Sequence, residues 1–277
     1  MKVIQAKSAG FCYGVQRAVE LAEQTARERG GCVMLGSIIH NAHVVQHLEQ
    51  LGAHQVAGPE EIRPGDTVLI RAHGEKKQVI GHLKDIGAEC VDATCPNVLR
   101  VQQIVAQADA EGRVPIIIGD PNHPEVMGVA SWSARSVVFE GAEALQRWLD
   151  EDPARRELPL TAVAQTTCIR IIWDGAAEIL KKQCTNAKIF DTICNATHKR
   201  QSEAAELASQ VDVMVVVGDR KSANTKHLTE ICSRQCPAVY QIERAEELKR
   251  DFLTGCSVAG LTAGASTPAG IIKEVYT

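Results

Sequence analysis

Apolar residues recur along the chain in two alternating rhythms. Short runs such as CVML at 32–35, VPIII at 114–118 and VMVVV at 213–217 are almost continuously apolar, as expected of strands buried on both faces. Between such runs lie stretches with apolar residues three and four positions apart, among them Val15, Ala18, Val19 and Ala22. That is the spacing of an amphipathic helix. Strands alternating with helices predict an α/β fold built on parallel sheets.

The alternation itself repeats. Three segments share one plan, a short apolar strand, a cysteine, then a helix. The first is Val3-Ile4 followed by Ser8–Cys12, the second Glu89–Cys95 followed by Pro96, and the third Ala187–Cys194, with a helix from about 197. A second unit follows each helix. Strands at 32–36, 114–119 and 211–218 lead into His40-Asn41, Asp120–Glu125 and Asp219–Thr225, and Gly36, Gly119 and Gly218 close them. A third unit completes each set, with strands that end at His73-Gly74, Gln165-Thr166-Thr167 and Gly264–Pro268.

Threefold repetition predicts three small α/β domains about a pseudo-threefold axis. Their expected bounds are 13–95, 96–192 and 193–277, the last completed by residues 1–12. Parallel α/β sheets bind ligands beyond the carboxyl ends of their strands. The nine strand-end motifs are therefore expected to line one central cavity.

Composition narrows the function classes. Of 277 residues, 45% are hydrophobic and 23% charged, and the net charge is −4. That is ordinary globular material with no basic excess, which argues against nucleic acid or a membrane surface as partner. Met1–Gly10 lacks the apolar core of a signal peptide. No apolar run reaches the roughly 20 residues that span a bilayer, so a cytoplasmic location is expected. In that reducing compartment the ten cysteines are buried thiols, metal ligands or nucleophiles rather than structural disulfides.

The repeat distinguishes among them. Cys12, Cys95 and Cys194 alone occupy an equivalent strand-to-helix turn, where free N–H groups suit an anionic sulfur ligand. Three thiolates around an axis suit an iron–sulfur cluster. Zinc on three Cys and one His is the competing metal, and buried thiols are the bland alternative. A cubane held by three residues leaves one iron open to act as a Lewis acid.

His40, His73 and His123 stand at three strand ends, with Ser222, Asn224 and Ser266 in matching loops. One such histidine alone would be a helix cap or a core residue. Together with helix N-termini, the set makes a phosphate cradle. No P-loop is present, nor a GxGxxG with an acidic ribose partner, so a nucleotide is not indicated. Glu125 reads either as a helix-start carboxylate or as a proton donor whose pKa a desolvated pocket raises. Thr166 is equivalent in the repeat to His73 and Ser266 and is expected to face the same cavity.

These residues closely resemble the 4-hydroxy-3-methylbut-2-enyl diphosphate reductase family. The matching motifs run in order, from Gly10–Val15, Ile39–Asn41, Ala72–Gly74 and Asp92–Pro96 through Gly119, His123–Val126 and Gln165–Thr167 to Cys194–Thr197, Ser222–Thr225 and Thr262–Ser266. The resemblance implies a trefoil-like three-domain fold and a [4Fe–4S] cluster on Cys12, Cys95 and Cys194. It implies a small allylic diphosphate as substrate, with reduced ferredoxin or flavodoxin as electron donor and two isomeric diphosphates as products. His40, His73, His123, Ser222, Asn224 and Ser266 would clamp the diphosphate, Glu125 would relay protons and Thr166 would orient the hydroxyl.

Two features depart from the pattern. Ser222-Ala223 stands where the family commonly has two serines, and Cys168-Ile169 is an unusual pair after Thr167. Two other readings are open at this point. Quinolinate synthase also gathers three cysteines from three α/β repeats, without this histidine and hydroxyl set. A cluster-bearing or zinc-bearing sensor would bind a diphosphate without chemistry.

Overall fold

In the computed structural model, which describes residues 1–277, the continuous apolar runs are strands and the three-and-four-spaced stretches are helices. The elements follow one another as β1 (Lys2–Gln5), α1 (Tyr13–Arg29), β2 (Cys32–Leu35), α2 (Ala42–Gln50), β3 (Ala53–Val56), β4 (Thr67–Ile70), α3 (Lys77–Asp85) and β5 (Glu89–Asp92). Next come α4 (Pro96–Ala110), β6 (Val114–Ile118), α5 (Pro124–Ala130), β7 (Val137–Phe139), α6 (Ala142–Glu151), β8 (Leu160–Ala164), α7 (Arg170–Gln183) and β9 (Ala187–Ile189). The chain ends with α8 (Asn195–Ala208), β10 (Val213–Val217), α9 (Ala223–Ser233), β11 (Val239–Ile242), β12 (Val258–Ala263) and α10 (Ala269–Tyr276).

The strands form three four-stranded sheets, ordered β1-β12-β10-β11, β3-β2-β4-β5 and β7-β6-β8-β9. Every neighbouring pair is parallel, so each connection is a crossover. The pattern of apolar runs yields nine of these strands. The structure adds β3, β7 and β11, one at an edge of each sheet.

The chain divides into two compact units. One comprises Met1–Gln16, Ile39–Gln46 and Cys194–Thr277; the other comprises Arg17–Ile38 and His47–Ile193. In the first, strand alternation feeds two cores. Met214 and Val216 of β10 pack with Ala204, Leu207 and Cys232, while Val215 and Val217 pack with Leu261, Ile271 and Ile272. The second unit holds two sheets and repeats the device. Ile116 and Ile118 of β6 join Leu145, Leu149, Trp173 and Leu180, whereas Ile117 joins Val101, Val105, Val126 and Val163. Its other sheet buries Val33, Val68 and Ile70 against Leu83. Each such valine, leucine, isoleucine or methionine contributes about 1.5–3 kcal/mol on full burial. No helix is long and apolar enough to cross a membrane.

Candidate active site

The three cysteines singled out by the repeat each stand immediately before a helix. In the first unit the Cys12 carbonyl accepts from Gln16 N–H at 2.9 Å, and the Cys12 N–H donates to the Ala265 carbonyl at 3.4 Å. Cys194 caps α8; its Sγ accepts from Thr197 N–H at 3.3 Å and lies 3.0 Å from the Thr197 hydroxyl. In the second unit Cys95 precedes α4, donates its N–H to Ala72 at 2.9 Å and accepts from Leu99 N–H at 3.0 Å.

None of the three is in a disulfide and all are partly exposed, whereas Cys32, Cys168, Cys232 and Cys236 are buried. Burial pushes the thiols of Cys168 and Cys232 up to about 12, which keeps them inert and protonated. Cys168 and Ile169 are 4% and 3% exposed, so this unusual pair after Thr167 is core packing. Soft sulfur donors at helix starts fit an iron–sulfur cluster as resident group.

Cys12 and Cys194 are supported by Thr197, read in the sequence only as part of a motif, and by Arg200, which the sequence did not single out. Arg200 is buried in α8 and donates to the carbonyls of Ser8 at 2.9 Å and Gly10 at 2.7 Å. Burial pushes its guanidinium down from the ordinary value, and the Cys12 and Cys194 thiolates push back. Its only sequence signal was an arginine six residues after a repeat cysteine, on the side of a helix that packs inward.

The remaining first-unit residues gather around the ends of β10 and β12. Asn41 accepts from Val44 N–H at 3.2 Å and donates Nδ2 to the Ser266 carbonyl at 3.0 Å, which ties the His40 loop to the Ser266 loop. Ser222 caps α9 by accepting from Thr225 N–H at 3.4 Å. Asn224 Nδ2 and Ser266 Oγ are buried with no hydrogen-bond partner in the protein, as are the hydroxyls of Thr225 and Thr262. Unpartnered buried donors are costly, and a ligand rich in acceptors would satisfy them. Gly218 makes this packing possible. With φ of +150°, it leaves no room for a Cβ, which would lie 2.5 Å from Thr225 Oγ1 and 2.9 Å from Thr267 Oγ1.

In the second unit four residues come together, His73 after β4 of one sheet, and His123, Glu125 and Thr166 after β6 and β8 of the other. The His73 and His123 rings meet edge to face, with centroids 5.3 Å apart. His123 caps α5, and its Nδ1 accepts from Glu125 N–H at 3.1 Å. That places the proton of the neutral ring on Nε2, making it a donor. Glu125 is 2% exposed; its Oε1 accepts from Thr166 N–H at 2.6 Å and its Oε2 from the Thr166 hydroxyl at 2.8 Å. Burial raises its carboxyl to about 7, against the lowering effect of both Thr166 bonds. Gly119 permits this close approach of strand ends, since a Cβ there would sit 2.8 Å from the Gln165 side chain.

Comparison with known proteins covers the full chain. The 4-hydroxy-3-methylbut-2-enyl diphosphate reductase of Caldanaerobacter subterraneus subsp. tengcongensis is 40% identical, over 99% of this chain and 95% of that one. The enzyme of that name from Nitratiruptor is 38% identical, over 99% and 97%. The solved structure of (E)-4-hydroxy-3-methyl-but-2-enyl diphosphate reductase, the terminal enzyme of the non-mevalonate pathway, matches with a TM-score of 0.71 and 38% identity, covering 100% of this chain and 98% of that one. The Plasmodium falciparum reductase structure matches with a TM-score of 0.93 and 26% identity, covering 99% and 86%. Residues 3–277 match the family model described as LytB protein, and the chain therefore belongs to the LytB family.

Proposed function

We propose that this chain removes the C4 hydroxyl of (E)-4-hydroxy-3-methylbut-2-enyl diphosphate reductively, giving isopentenyl and dimethylallyl diphosphates. The C4–O bond breaks, two electrons and two protons enter, and the hydroxyl leaves as water. The observation that carries this reading is the Glu125–Thr166 pair, a buried carboxyl held near neutrality beside His123. A group with that pKa both holds and gives a proton at neutral pH. Thr166 touches it through a hydroxyl that accepts as well as donates, so the pair conducts a proton to the substrate oxygen.

Cys12, Cys95 and Cys194 would hold a [4Fe–4S] cluster, which when bound supplies the electrons and an open iron as Lewis acid. Reduced ferredoxin or flavodoxin would be the external donor. His40, His73, His123, Ser222, Asn224 and Ser266 would clamp the diphosphate; the unpartnered donors of Asn224 and Ser266 support that role. The reading takes residues 13–95, 96–192 and 193–277 with 1–12 as three domains around this substrate. Ala223, the first residue of α9, lacks the hydroxyl of the second serine, a loss of about 1 kcal/mol of binding.

Anaerobic turnover of the allylic diphosphate with a viologen reductant tests the proposal. Cluster-loaded chain should release both products, and Glu125→Gln should lower kcat by about 100-fold or more with substrate still bound. Brown, cluster-loaded protein without turnover would sink it in favour of a diphosphate sensor.

A further inference from the structure

One face of α8 grips the turn that leads into Cys12. Arg200, 3% exposed, spans two carbonyls of that turn, Ser8 at 2.9 Å and Gly10 at 2.7 Å. One turn further along α8, Glu203 takes the opposite groups. Its Oε1 accepts from Lys7 N–H at 2.6 Å, and its Oε2 accepts from Ser8 N–H at 2.8 Å and from the Ser8 hydroxyl. Cys194 caps the same helix. Two charged side chains thus tie residues 7–10 to the helix that Cys194 begins.

A buried guanidinium is costly unless its donors are satisfied, and a simple turn needs no such device. Arg200 is also a close electrostatic neighbour of both cysteines. A cation there opposes the negative charge that sulfur ligands concentrate.

We propose that Arg200 and Glu203 are positioning residues for the cluster. Together they fix Cys12 relative to Cys194, and Arg200 adds a permanent positive charge that stabilises the reduced cluster. The inference rests on the cluster reading above.

The test uses the whole chain, wild type and the variants Arg200→Gln, Arg200→Lys and Glu203→Ala. Iron loss to EDTA and midpoint potential are measured on anaerobically reconstituted protein, and amide exchange of Lys7 and Ser8 on cluster-free protein. Arg200→Gln should lose iron roughly tenfold faster and have a lower potential, because reduction adds negative charge beside a missing cation. Arg200→Lys should keep the potential near wild type while still losing iron faster, since an ammonium cannot span two carbonyls. Glu203→Ala should speed exchange at Lys7 and Ser8.

Wild-type iron loss and potential in Arg200→Gln would overturn the proposal. Should that variant not fold, wild-type iron loss in Arg200→Lys with unchanged exchange in Glu203→Ala would do the same. A wild-type chain that takes up no iron and sulfide overturns the cluster reading and this inference with it. Unaltered Lys7 and Ser8 exchange in cluster-free Arg200→Gln and Glu203→Ala overturns the clamp alone.

Discussion

Thr166 satisfies both oxygens of the Glu125 carboxylate, one through its backbone N–H and one through its hydroxyl, at 2.6 and 2.8 Å. Thr166 follows β8 and Glu125 lies in the first turn of α5, the helix that follows β6, and β6 and β8 are adjacent and parallel. Strand pairing therefore sets a contact between residues 41 positions apart in sequence. Burial nevertheless outweighs these two bonds and raises the Glu125 carboxyl from 4.5 to about 7.

The folded chain accordingly binds this proton more tightly than the unfolded chain. The resulting stability is fully present below about pH 4.5 and is lost as pH rises through about 7. The loss is about 3 kcal/mol. Urea unfolding of cluster-free protein at pH 5 and pH 8 should show this decline relative to Glu125→Gln. Parallel behaviour of the two proteins would assign the pH dependence to other groups.

Asn41 holds two loops with one amide, capping α2 and bonding to Ser266. Asn41→Ala should cost about 1–2 kcal/mol and raise KM for the diphosphate with a smaller effect on kcat. Thermal unfolding and steady-state kinetics check both parts. An unchanged KM would separate this bridge from substrate binding.

Gly218→Ala combines a backbone conformation that side chains rarely adopt with contacts to Thr225 and Thr267. Strain and overpacking each cost roughly 1–3 kcal/mol. The melting temperature should fall by several degrees, and a variant as stable as wild type would show that the β10 end has room to relax.

Thr197 places its hydroxyl 3.0 Å from Cys194 Sγ. Hydrogen bonds to sulfur ligands tune cluster potentials, so Thr197→Val should retain iron and shift the midpoint potential downward. Identical potentials in redox titration would confine Thr197 to packing.

The sequence made some elements plain and hid others for physical reasons. Strands buried on both faces, such as β6, β8 and β10, announce themselves as continuous apolar runs. The edge strands β3, β7 and β11 are three or four residues long, with exposed or half-buried positions, and carry no comparable pattern. Glu125 and Thr166 were legible as strand-end positions within a repeat. Their mutual bonding was not, because it depends on the alignment of β6 with β8. Arg200 escaped because nothing in a charged residue on a helix reveals that its side chain turns inward to two carbonyls.

Of these twelve strands the first, β1, pairs with the last, β12, with Lys2 beside Val258 and Gln5 beside Leu261. At ribosomal speeds of roughly 5–20 residues per second, β1 waits on the order of ten to fifty seconds for that partner. Throughout this interval Cys12 belongs to a tail without a sheet to anchor it. A change that broke either β1 or β12 would therefore loosen the same turn, the one that leads from β1 into Cys12.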